Sequence, residues 1–504
     1  MVSEIKAGSL LNYVNIFLRI GIGLFLSPFI LSHLGESEYG LYTIAGTIVG
    51  YIALMDFGLT ASTGRFLSEY QAKKDIKGEA HFLGNITAIF SLIAIGIMSC
   101  GIVIFFFLDK IFPNFTPSEM SIYKVLYLLA LANTACCFPL NAMGGILTSR
   151  TKFFIPGLAR TALSLLNVTG TFLCLTMGYK SIALLSVNVI TGVSGLIFNA
   201  IYAFGYLKVR MTWNGWDWAL CRKVYAFSSW VFVSYLSGVL NWGSGSFILG
   251  MTCTPTDIAI FSFGMALFSY YFTFSSAIPG LFTARIVQMV TNNASKKEIT
   301  LLMSQVSRVL TCILFLLFTG IILFGQEFLE LWVGDTLQEQ TIESWYVAVI
   351  LCSGATLPLI QSIGNQVLQA MNLVKENARI QILIAATCVV LGYLASQEYG
   401  VIAVASATAC SYVIGQVFYL NWVYKKKAGI ILSLYFTEVF SKLPLVILFP
   451  LSAYFLTNHF IQDSSWEVFF CKISIYIIVY IPAFCFLYLR REERVSYCPI
   501  LFRK

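Results

Sequence analysis

The sequence predicts an all-α integral membrane protein of about fourteen transmembrane helices, and three observations carry that expectation. Of the 504 residues, 58% are apolar and only 11% charged, where a soluble domain carries about 25% charged residues. Apolar runs of 18 residues or more recur from end to end, each long enough to cross a bilayer as a helix. The runs are continuously apolar, whereas a barrel strand alternates over about ten residues.

Taken in order, the apolar stretches place helices at 9–31, 41–63, 82–108, 122–147, 155–177, 182–207 and 227–251, then 258–280, 300–325, 344–370, 379–396, 400–424, 436–457 and 467–489. The first run continues past the 7 to 15 residues of a signal-peptide core and lacks a small-residue cleavage site, so it is expected to be retained. The longest external segment is expected from Gln326 to Glu343.

Charge sets the orientation. Of the Lys and Arg near helix ends, 26 collect on one side of the membrane, in clusters such as Lys73, Lys74 and Lys77 or Lys425, Lys426 and Lys427. The other side has only Lys110, Lys124, Lys180 and Lys472, with acids such as Glu327 and Glu330. By the positive-inside rule the basic side is cytoplasmic, both termini lie there, and the number of spans is even. The formal charge of +8 thus belongs to orientation, and no nucleic-acid partner is expected. Most of the 13 cysteines sit inside apolar runs and show no CxxC or Cys/His spacing, so they are read as small apolar side chains and no metal is expected.

The chain also resembles itself at an offset of 219 to 220 residues. Pro139, Leu140, Gly145, Ala159 and Arg160 align with Pro358, Leu359, Gly364, Ala378 and Arg379, and Arg65 aligns with Arg285. The sequence therefore predicts an N-terminal six-helix bundle over 1–210, its repeat over 222–424, and two further helices with a basic cytoplasmic tail over 425–504. Six crossings per copy make the repeat parallel, and paired parallel bundles suit a central cleft that opens to either face by rocking.

The stretch Pro28 to Tyr70 holds a Leu-Gly-Glu-x-Glu-Tyr-Gly turn (Leu34 to Gly40), a helix ending in Asp-x-Gly-Leu (Asp56 to Leu59) and a basic loop. It resembles the start of bacterial polysaccharide transporters, the lipid-linked oligosaccharide (O-antigen) flippases of the multidrug/oligosaccharidyl-lipid/polysaccharide exporter superfamily. The length, the duplication and the six-plus-six-plus-two layout are similar to that family too. The resemblance implies movement of an undecaprenyl-diphosphate-linked oligosaccharide from the cytoplasmic to the periplasmic leaflet of the bacterial inner membrane, by alternating access, for O-antigen or capsule assembly. Membrane lipids and the polysaccharide polymerase machinery are the implied partners. No cofactor is expected, and a coupling ion, proton or sodium, stays open.

A diphosphate and a hydrated sugar need a polar, preferably cationic path. Arg19 lies mid-membrane in the first helix, where an arginine costs about 2.5 to 3.5 kcal/mol. It shares a face with Asn12 and Asn15, so the stripe can line a cleft and meet the diphosphate. Two further roles stay open: an ion pair between Arg19 and Asp56 that fixes two helices, and Asp56 as a proton or sodium site. Ser234, Ser237, Asn241 and Ser244 form a polar stripe on the seventh helix, and Gln361, Asn365 and Gln369 another on the tenth. Either stripe can meet sugar hydroxyls or hydrogen-bond a neighbouring helix. Arg65 and Arg285 serve as orientation anchors or as attractors at the cytoplasmic mouth, and Asn141, Pro139 and Pro358 are expected to shape helix bends.

Two other classes share the hydrophobicity. A cation-coupled drug exporter of the same superfamily wants buried acids, and Asp56 is nearly alone within the spans. A membrane glycan polymerase wants a large external loop with reactive residues, whereas Gln326 to Glu343 holds no His, Lys or Arg and the three histidines are scattered. A transporter, not an enzyme, is the expectation.

Overall fold

In lipid, an apolar run satisfies its backbone only as a helix or a closed barrel, and the computed structural model is helical throughout, with no strand among the described residues. Those residues are 18, 21–53, 59–150, 154–213, 215–276, 279–371, 373–444, 448–449, 451–452, 454–455 and 465–490. Among them nine helices are long and apolar enough to cross a membrane, one of which, 375–428, turns internally at Gly400 (φ 55°). The expected spans 9–31, 41–63 and 436–457 fall partly outside the described residues.

The chain divides into two compact units, Met1–Ala259 and Ile260–Lys504. The first holds α1 (Gly21–Leu34), α2 (Glu36–Ala53), α3 (Leu59–Ala72), α4 (Ile76–Phe105), the short α5 (Leu108–Ile111), α6 (Pro117–Ser149), α7 (Phe154–Thr176), α8 (Ser181–Ile201) and α9 (Trp218–Thr252). Helix α6 is its centre, packed by α2, α3, α4 and α8. Small residues let the backbones approach, as lipid-embedded helices require: a Cβ on Gly145 of α6 would strike Thr63 of α3, and one on Gly101 of α4 would strike Leu131 of α6. Helix α7 packs on α8, where Gly170 meets Val187 and Gly195 meets Leu163.

Helix α10 (Pro255–Ser276) crosses the division. The second unit continues with α11 (Thr283–Thr291), α12 (Lys296–Leu337), α13 (Thr341–Ile360), α14 (Ile363–Ala370), α15 (Val374–Tyr412), α16 (Leu420–Val423), α17 (Leu432–Phe440) and α18 (Trp466–Ala483). Helix α12 packs against α13, α17 and α18, and α13 packs against α15 with Gly354 on Ala409. On α18, Tyr476 and Tyr480 donate to the Leu316 and Cys312 carbonyls of α12, each at 2.9 Å. Near one end of the α12 and α18 pair, buried Lys472 meets Glu327 at 2.9 Å; near the other, Glu438 of α17 takes Arg308 of α12 at 3.0 Å and Arg490 as well.

Two expectations need correction. The helix expected to end at 325 does not end there: α12 runs on to Leu337, a single 3-10 turn covers Gln338–Gln340, and α13 begins at Thr341, so most of Gln326 to Glu343 is helical. Apolar Leu329, Trp332, Val333 and Leu337 are buried along this extension, which continues the helix's packed face between the polar positions. Nor is 344–370 one helix. Pro358 lies near the end of α13, the Ile360 carbonyl is taken by Ser307 Oγ of α12 at 2.8 Å, and the Ser362 and Gly364 amides bond three residues back. The α-helical ladder is therefore interrupted before α14 begins.

The turn after α3 and the turn after α11 share a hydrogen-bond pattern. Lys73, Lys74 and Asp75 N–H donate to the carbonyls of Glu69, Gln71 and Tyr70; Asn292, Asn293 and Ala294 N–H donate to those of Gln288, Val290 and Met289, 219 residues on. Lys74 and Asn293 both take positive φ, 55° and 53°. Asp75 then caps α4 and Ser295 caps α12, at an offset of 220. Thr212 N–H reaches the Ala80 carbonyl, and Ile431 N–H reaches Thr300 Oγ1, again near that spacing.

Candidate functional site

The first unit contains a cavity of about 550 Å³ lined chiefly by α7 and α8, with Leu18 and Ile22 at one wall. Its polar lining repeats at helical spacing. Arg160, Ser164 and Asn167 stand at i, i+4 and i+7 on α7, while Asn188, Thr191 and Asn199 stand at i, i+3 and i+11 on α8. Gly192 and Gly195, between them on α8, keep the floor low; a Cβ on Gly192 would meet nothing within 4 Å.

The polar groups are held by one another. Asn167 Nδ2 donates to Asn188 Oδ1 at 2.7 Å and to Thr191 Oγ1 at 3.0 Å, and Asn188 Nδ2 donates to the Tyr42 hydroxyl of α2 at 2.8 Å. Thr191 Oγ1 in turn donates to the Val187 carbonyl at 2.8 Å. The chain of bonds orients each amide and ties three helices together, so a ligand meets a preset surface. Glu38 of α2, buried, fixes the start of α8: it accepts from Ser181 N–H at 3.0 Å and Ser181 Oγ at 2.6 Å, and Lys180 stands 3.2 Å away. Among the described residues the cavity offers the Arg160 guanidinium, amides and hydroxyls, with no Asp or Glu in its lining.

The residues expected from the sequence are distributed otherwise. Asn12, Asn15, Arg19 and Asp56 lie outside the described residues. Arg65 stands on α3, its side chain outside the description, and Arg285 is exposed on α11. Of the seventh-helix stripe, Asn241 and Ser244 are buried on α9. The tenth-helix stripe is split by the break: buried Gln361 exchanges amide bonds with Asn421 at 3.0 and 3.3 Å, Asn365 is half-buried, and Gln369 is exposed. These three do not share one continuous helical face. Arg160 was legible as a charge near a helix end, but the stripe it begins on α7 and the facing stripe on α8 were missed; their i, i+4, i+7 spacing was the available signal. Its repeat partner Arg379 bonds Glu376 at 3.2 Å instead.

Solved structures share the fold at low identity. A lipid II flippase, MurJ, in an inward closed conformation superposes with a TM-score of 0.72 at 16% identity, over 98% of this chain and 99% of that one. An inward-facing multidrug resistance MATE family transporter gives 0.64 at 14%, over 81% and 96%. The Vibrio cholerae MATE transporter VcmN in its bent form gives 0.53 at 15%, over 87% and 99%. No curated protein matches the sequence. The family model described as polysaccharide biosynthesis protein matches residues 6–284, more than half of the chain, and the protein therefore belongs to that family of multi-pass membrane proteins.

Proposed function

We propose that this protein flips an undecaprenyl-diphosphate-linked oligosaccharide from the cytoplasmic to the periplasmic leaflet of the bacterial inner membrane, by alternating access, to supply O-antigen or capsule assembly. The observation that carries the reading is the α7–α8 cavity, where Arg160 accompanies Asn167, Asn188, Thr191 and Asn199, with no carboxylate among the described residues of the lining. A guanidinium suits a phosphate oxygen, and amides and hydroxyls suit sugar hydroxyls. Arg19, with Asn12 and Asn15, stays a proposed second anion contact, and Asp56 its proposed partner. The recurring turns and caps at an offset of 219 to 220 support two parallel six-helix repeats, with 425–504 as an addition. On this reading the protein is a transporter without a catalytic centre, its partners are the glycan lipid, membrane lipids and the polymerase machinery, and the coupling ion is a proton, sodium or neither.

The likeness to MATE transporters over more than four-fifths of the chain supports a second reading, cation-coupled drug export. One experiment separates them. Purified protein in liposomes receives a labelled lipid-diphosphate oligosaccharide in one leaflet, and a membrane-impermeant glycosidase reports its arrival in the other; a parallel set follows a cationic dye under proton and sodium gradients. Glycan exposure without dye movement supports flipping, and dye movement without glycan exposure overturns it.

A further inference from the structure

The connector between α8 and α9 is neither loose nor hidden. Thr212 N–H bonds the Ala80 carbonyl at 3.1 Å, and Asp217 N–H bonds Asn85 Oδ1 of α4 at 3.0 Å. Gly84 lies under the Thr212 carbonyl, where a Cβ would collide. The connector is thus pinned along the first turns of α4, yet it turns large side chains outward: Trp213 is 54% exposed, Trp218 76% and Tyr225 66%. The rings of Trp213, Trp216 and Trp218 meet edge to face at 6.1 and 5.5 Å, which fixes their directions. Lys208 and Arg210 of the same connector, and Arg222 in the first turns of α9, are exposed. The acid among them, Asp217, is engaged: it caps α9 through the Ala219 and Leu220 amides and stands 3.8 Å from His81.

Rigidly displayed indoles on a segment that also exposes cations are costly in bulk water and favourable at the headgroup level, where amphipathic rings settle and basic side chains reach phosphate. We propose that the connector, with Trp213 and Trp218 as its wedge and Lys208, Arg210 and Arg222 as its cations, is a docking element for acidic phospholipid of the leaflet it faces. The inference is independent of what the protein transports. Its occupant is fixed by charge complementarity: three exposed cations, with Asp217 already committed to its cap, select an anionic headgroup over a zwitterionic one.

The test uses the full chain in nanodiscs containing a small fraction of lipid brominated near the top of its acyl chains, either phosphatidylglycerol or phosphatidylcholine, with indole quenching as the readout. At equal mole fraction the acidic lipid is expected to quench with about tenfold or greater apparent preference. That preference should vanish in Lys208→Gln/Arg210→Gln/Arg222→Gln and survive in Lys208→Arg/Arg210→Lys/Arg222→Lys, which keeps the charge. With the other seven tryptophans left in place, the part of the quenching that distinguishes the two lipids should be lost in Trp213→Phe/Trp218→Phe. Equal quenching by the two lipids, or a preference unchanged in the glutamine variant while the protein stays monodisperse, overturns the proposal. Should soluble pyrophosphate abolish the preference, the site holds free phosphate anions and not a lipid surface, and the proposal falls.

Discussion

At the scale of single residues, the α7–α8 cavity depends on two kinds of group that should respond differently to substitution. Arg160 lines the cavity from an exposed position, so Arg160→Gln should leave folding intact and lower glycan transport about tenfold or more, the cost of one charge-assisted contact. An unchanged rate in the glycosidase-protection assay would remove Arg160 from the path. Asn188 both lines the cavity and joins Asn167 to Tyr42. Asn188→Ala should therefore lower transport and also cost about 1 to 2 kcal/mol of stability, because partner groups lose their bonds. Glu38 touches no part of the cavity lining, yet Glu38→Ala should lower the melting temperature through about 1.5 to 3 kcal/mol per charged hydrogen bond lost at Ser181. The stripes on α7 and α8 were readable from spacing alone. Tyr42 was not, since it lies 146 residues from Asn188 in sequence and only packing brings α2 against α8.

At the scale of elements, some boundaries are set by local chemistry and others by packing. Ser295 and Glu298 form a capping box that starts α12 at Lys296, four residues before the expected 300. The break between α13 and α14 is not local: Pro358 weakens the ladder, but Ser307 from α12 takes the Ile360 carbonyl, and Tyr435 of α17 donates to that same Ser307 at 2.8 Å. No window of sequence around 360 contains those partners. The same holds for Lys472, which charge counting assigns to a loop end and the fold buries against Glu327. Lys472→Met alone should cost at most about 3 to 5 kcal/mol by leaving the half-buried Glu327 carboxylate without its partner, whereas Lys472→Met with Glu327→Gln should recover most of it. Thermal unfolding of the two variants decides; equal losses would mean that the pair does not hold α18 to α12.

At the scale of the whole molecule, the remaining question is how the chain threads the bilayer, and the lysines and arginines make a prediction about it. Twenty-six basic residues lie near one set of helix ends and four near the other, an imbalance from which the positive-inside rule predicts a single orientation with both termini in the cytoplasm. The turn after α3, the turn after α11 and the stretch 425–427 belong to the basic set, while α5 and the turn Gln338–Gln340 belong to the other. Cysteines introduced singly at exposed Lys74 and Lys426, in a background with the 13 native cysteines replaced by serine, should react with an impermeant maleimide only in inverted membrane vesicles. Those introduced at exposed Lys110 and Glu339 should react only in intact spheroplasts. The parallel repeat requires the Lys74 site and its counterpart at Asn293, in the repeated turn, to share a side, because an even number of crossings separates them. Labelling of Lys74→Cys and Asn293→Cys from opposite sides would break the duplication and with it the alternating-access reading, even if the fold itself stood.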